Sequence, residues 1–149
     1  MASYKARRGK KGLFVSFEAA LRKRLIDDPA VAGLIGQTAG APSIDWDESP
    51  QNAKTPRIVL TLVSDPRPQT HDGPDSIRPS RVQADIVGEG KDSIVPLREA
   101  VIAAVLPAGR HSDIIFDRAF VDAVRSRGSR GETQFVHVDS IDFIIWHKG

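Results

Sequence analysis

The chain contains no cysteine. That absence excludes disulfides, thiolate metal sites and a cysteine nucleophile, and it suits folding in a reducing compartment. Long apolar runs are also missing. No stretch approaches the roughly 20 apolar residues that span a bilayer, so no membrane partner is expected. The basic N-terminal stretch is not followed by an apolar segment, and no secretory signal is expected there. Chemical motifs are equally scarce. There is no Gly-x-Ser-x-Gly elbow, and nothing local joins a nucleophile to a base and an oxyanion donor. Gly88-Glu89-Gly90-Lys91-Asp92 has the position of a phosphate loop, between a strand and a helix. However, Asp85 stands where that loop needs its first glycine, and Asp92 where it needs Ser or Thr for magnesium. A carboxylate there repels phosphate, so the segment reads as a glycine turn with a helix cap. The expectation is a protein without catalytic residues, cofactor or metal, and not an enzyme.

What is present fits one folded domain. The chain has 149 residues, 40% of them apolar and 27% charged, enough to bury a core without staples. Charge is unevenly spread. Lys5, Arg7, Arg8, Lys10 and Lys11 crowd the first eleven residues with no acid among them, although the net charge is only +2. The remainder is therefore acidic on balance, which weakens a reading as a dedicated nucleic-acid binder. Residues 1–12 read as a basic flexible arm, and 13–149 as a single α+β domain. Tyr4 is the sole aromatic within the arm, so base stacking has little support there.

Ser16 reads as the N-cap of a helix with Phe17, Ala20, Leu21 and Leu25 at helical spacing, ending near Asp28. Pro29–Gly36 reads as one short helical turn, with Gly36 as its stop. Residues 37–56 read as irregular, with an acidic knot of Asp45, Asp47 and Glu48 around Trp46. This knot lacks the calcium-loop pattern and reads as a solvated acidic loop. Arg57–Ser64 is apolar and β-branched on both parities, as a central strand is.

Asp65–Pro79 holds Pro66, Pro68, Pro74 and Pro79 and reads as a long connection without structure of its own. Arg81–Ile86 alternates as a half-buried strand paired with 57–64. Asp92 or Ser93 is expected to cap a helix whose face is Ile94, Leu97, Val101, Ala104 and Val105. Strands over roughly 113–125 and 133–147 follow, joined by a flexible tip at 126–132. Val136 and Val138 sit on the opposite parity to Ile141, Phe143 and Ile145, which predicts a β-bulge near Asp139–Ser140. His137, Asp139 and Asp142 lie close together on one strand; His137 and Asp139 project to the same face of an unbulged strand, as a metal or acid–base pair would, but spacing supplies no third ligand and the two read as a solvent-face pair. His71, His111 and His147 have no evident partners. Together these elements predict an α+β fold: a mainly antiparallel four-stranded sheet, two amphipathic helices packed on one face, and a long Pro-rich loop between the first two strands.

Three patterns carry a resemblance when taken together. The first is the opening helix Phe17–Leu25 running into Pro29–Ile35. The second is Thr55-Pro56-Arg57-Ile58-Val59-Leu60, a long polar loop, then Arg81–Ile86 leading into the helix at 94–106. The third is the closing strand Val138–Trp146. In this order and spacing the chain resembles the tail-completion or tail-terminator family of long-tailed bacteriophages and related gene-transfer particles, from about Phe17 to Trp146. The resemblance implies a structural virion protein of the tail and neck, assembled in the bacterial host cytoplasm. Such subunits form a homo-oligomeric ring, commonly a hexamer, that caps the tail tube protein and meets the head connector or stopper, with DNA in the lumen. The partner-binding candidates are then the arm (Lys5, Arg7, Arg8, Lys10, Lys11), the acidic loop (Asp45, Trp46, Asp47, Glu48) and the Pro-rich loop (Arg67, Gln69, His71, Asp72, Asp75, Arg78). Two alternatives remain. One is a head-side connector or stopper. The other is a small nucleic-acid-binding protein using the arm.

Overall fold

The structure is a computed structural model that describes residues 16–50, 53–67, 69–70, 73–74, 77–130 and 135–149. Helix α1 (Phe17–Asp27) opens on Ser16, whose Oγ accepts from the Ala19 amide at 3.0 Å. The Asp28 carboxylate accepts from the Ala30 amide and caps α2 (Pro29–Leu34), with Pro29 in the first turn. The segment expected to be irregular contains three short strands, β1 (Gln37–Thr38), β2 (Ala41–Pro42) and β3 (Ile44–Trp46). β1 and β2 join through Ala39 and Gly40, both at positive φ, the backbone of a tight hairpin.

Strand β4 (Arg57–Ser64) matches the apolar run read from the sequence. The Pro-rich connection carries a small ladder, with β5 (Gln69–Thr70) antiparallel to β6 (Gly73–Pro74). Strand β7 (Arg78–Gly88), helix α3 (Lys91–Val105), β8 (Gly109–His111), β9 (Ile114–Arg130) and β10 (Phe135–Lys148) follow. The N-cap of α3 is Gly90, not Asp92 or Ser93; the Ser93 hydroxyl instead donates back to the Gly90 carbonyl at 2.9 Å.

The four-stranded antiparallel sheet with two helices is not what forms. The main sheet has six strands in the order β3-β4-β7-β10-β9-β8, beside the two small two-stranded sheets and three helices. It is mixed, because β3 runs parallel to β4 while the other neighbours are antiparallel. The two strands missing from the sequence reading, β3 and β8, are three residues each and flanked by turns, too short to show a period.

Helices and sheet share one core. Phe17, Leu21 and Leu25 of α1 and Ile94, Leu97 and Val101 of α3 pack on Ile58, Ile86, Ile141 and Phe143 of the sheet. The expected bulge at Asp139–Ser140 is absent. β10 keeps an unbroken register with β7 from His137 to His147. The register slips fall on the other side of β10, where β9 carries an extra residue at Asp122 and another at Asp117. No bulge is needed, because both parities of β10 have somewhere to go. Ile141, Phe143 and Ile145 face the helices, whereas Val136 and Val138 join Val59 and Val87 on the helix-free face, in a shallow pocket of about 420 Å³ also lined by Arg57, Asp85 and Arg127.

Candidate functional site

The candidate residues fall into separate places. Lys5, Arg7, Arg8, Lys10, Lys11, His71, Asp72 and Asp75 lie outside the described residues, and Gln69 is described by its backbone alone. Asp45 and Trp46 lie on β3 at one edge of the six-stranded sheet. The Trp46 indole N–H donates to the Glu18 carbonyl of α1 at 2.9 Å, which fixes the edge strand to the helical layer. Asp47 has a φ of 70° and donates its amide to the Leu60 carbonyl, turning the chain out of the sheet and leaving Asp47 and Glu48 exposed.

Arg67 and Arg78 are brought together by a residue the sequence did not single out. Asp65 receives Arg67 at 2.7 Å and Arg78 at 3.2 Å, and its Oδ1 accepts the Ser80 hydroxyl at 2.8 Å. Burial pushes the Asp65 carboxyl up, but the Ser80 hydroxyl and the two guanidiniums outweigh this and hold it below the ordinary carboxylate range.

Since Ser80 spends its proton on Asp65, the His147 Nε2–H donates to Ser80 Oγ, 2.7 Å away. His147 is buried and stacked on Phe17 at 3.8 Å, so it does have partners, contrary to the sequence expectation. Burial lowers its pKa to about 4, with Arg78 adding to the shift and Asp65 opposing it. This chain of Asp, Ser and His runs in the wrong order for nucleophilic catalysis: the carboxylate takes the serine proton and the imidazole donates. What it does is tie both ends of the Pro-rich connection to the C-terminal strand.

The solvent-face reading of His137 and Asp139 also changes. Asp139 is fully buried on the helix side. It pairs with Arg98 at 2.9 Å and Lys91 at 3.8 Å, and accepts the Ser126 hydroxyl at 2.6 Å. Asp142 points to the helix-free face and pairs with Arg125. Among the described residues, no group of three or more His, Cys, Asp or Glu side chains could hold a metal ion.

The helix-free face is a lattice of alternating charge. Arg125 meets Asp142, Arg81 lies 3.4 Å from Asp122, and Arg127 lies 3.9 Å from Asp85, which also accepts the Ser140 hydroxyl at 2.6 Å. Near its other end the Arg118 guanidinium sits 4.9 Å over the Trp146 ring. Phe120 and Val63 are exposed on this side. Sequence reading missed Arg125 and Arg127; their signal was the Arg-x-Arg alternation, which places both on one face of a strand.

No known protein family matches the chain, and no curated protein matches it. The fold is shared with a solved chain described as "Virion of native gene transfer agent (GTA) particle", at 16% identity and a TM-score of 0.58, over 90% of this chain and 96% of that one. At that identity the likeness is one of fold, and it extends over nearly the whole of both chains.

Proposed function

We propose that this chain is a structural virion protein of a phage-like particle, a subunit that assembles into a ring on the tail tube and joins it to the head connector. The observation that carries the reading is the fold shared end to end with a chain of a gene transfer agent virion. The distribution of charge supports it too: on the open sheet face Arg125 pairs with Asp142 and Arg81 with Asp122, and the acids Asp45, Asp47 and Glu48 lie at the β3 edge of the same sheet. Ring contacts are heterologous, with one patch of a subunit meeting a different patch of the next, and this sheet offers two unlike edges. In this reading the Pro-rich connection, whose ends are held at Asp65 and Arg78, reaches the tail tube.

The test is assembly of the purified protein, followed by light scattering and negative-stain imaging with and without isolated tail tubes. Closed rings, alone or on tube ends, are expected. Protein that stays monomeric and leaves tube ends bare would overturn the reading. Removing residues 68–76 while keeping Asp65, Arg67 and Arg78 should leave a folded chain that no longer completes tails.

A further inference from the structure

The six-stranded sheet has two incomplete edges. At one, β8 pairs with β9 only over Ile114–Phe116, so among the described residues the outer side of β9 from Asp117 onward has no neighbour in the sheet. Within that stretch the register against β10 is unbroken from Ala123 to Arg130. At the other, β3 pairs with β4 only over Ile58–Leu60, leaving the outer side of Thr61–Ser64 open among the described residues. Open edges of this kind invite another strand, and proteins control which strand by charge.

The charges differ between the edges. Asp45, Val59, Asp85, Ser140 and Arg125 occupy one continuous cross-strand row, so an acid ends that row at β3 and an arginine ends it at β9, on the same face. Asp45, Asp47 and Glu48 form no ion pair among the described residues. Arg125 and Arg127 are 55% and 59% exposed, and a guanidinium paired with its own carboxylate still has outward N–H donors. Apolar groups flank both edges, Val124 at 42% exposure on one and Val63 at 58% on the other.

We infer that copies of this chain join edge to edge, the β9 edge of one docking on the β3–β4 edge of the next, with Arg125 and Arg127 meeting Asp45, Asp47 and Glu48. This rests on the ring reading above and names the surfaces that build the ring. Pairing β9 with β9 of a second copy would set arginine against arginine, so charge selects the unlike edge. Strand direction agrees: across β4, β7, β10 and β9 each neighbour is antiparallel, so β9 of one copy meets β4 of the next antiparallel.

The experiment uses two full-length variants, Asp45→Lys with Asp47→Lys and Glu48→Lys, and Arg125→Glu with Arg127→Glu, measured by analytical ultracentrifugation at low salt. Each alone should weaken self-association by about tenfold or more. An equimolar mixture should recover wild-type assembly, because every contact then has one restored acid–base pair. The first variant breaks no ion pair of the fold, so its result stands even if the arginine variant unfolds. If the wild-type chain assembles and the acid-edge variant assembles equally well, this edge assignment is wrong and the ring reading survives. If the wild-type chain is monomeric alone but rings isolated tail-tube ends, the same variants are compared on tube ends; if it is monomeric and also leaves tube ends bare, both fail.

Discussion

Gly88 ends β7 against α3, and a Cβ built there would lie 2.4 Å from Cγ2 of the buried Ile94. Gly88→Ala should therefore cost about 1–3 kcal/mol in urea unfolding, because a branched core side chain must move. Gly90→Ala should cost less, about 0.5 kcal/mol, since its close contact is the Asp92 carboxylate at 2.9 Å, which can swing away. The sequence read Gly88-Glu89-Gly90 as a turn but could not rank the glycines, because Ile94 meets Gly88 only once the helix folds back. His147 was misjudged for the same reason: Phe17 and Ser80, its partners, are far away in sequence. Its pKa of about 4 lies below the ordinary imidazole value near 6.5, so between those limits the unfolded chain binds the additional proton. Stability from this group is complete above about pH 6.5 and falls as pH drops toward 4, by about 3 kcal/mol at most. His147→Gln, which retains an N–H for Ser80, should flatten that slope in denaturation curves taken across the interval. Asp65, with its pKa held low, contributes a further loss only at still lower pH, as it protonates through its folded pKa.

Beside the shared apolar core, a buried carboxylate ties the long hairpin of β9 and β10 to α3. Asp139 is 1% exposed and depends on Arg98, Lys91 and Ser126. Arg98→Met removes the nearest cation and should cost about 2 kcal/mol in urea unfolding, somewhat below the usual loss for a broken buried pair because two partners remain. Lys23→Met, which breaks the exposed pair with Asp27, should cost only about 0.3 kcal/mol. The elements that could be read in advance were α1 and the buried face of α3 from helical spacing, the short α2 from Pro29 and its apolar residues, β4 from its β-branched run, the alternating part of β7, and most of β9 and β10. The slips at Asp117 and Asp122 left no mark in the sequence, since a bulge in β9 is defined by its partner strand.

At the scale of the molecule, what the sequence withheld was strand order. Local patterns give strands, and β8, β9 and β10 are neighbours in chain order, but β10 beside β7 is a pairing across a long separation, and β3 lies parallel to β4. Those pairings decide which edges are left open, and so which surfaces the proposed edge-to-edge assembly would use. If charge joins the edges, raising ionic strength well above physiological should disperse the assembled species while leaving the thermal unfolding of the separate chain nearly unchanged, as scattering and calorimetry would register. The chain has two tryptophans, and they stand toward opposite sides of the sheet: Trp46 on β3 bonded to the Glu18 carbonyl, and Trp146 on β10 under the Arg118 guanidinium of β9. If copies join edge to edge, indole emission, read without any dye, would change at Trp46 beside the β3 edge, while Trp146 on the inner strand β10 would serve as an internal reference.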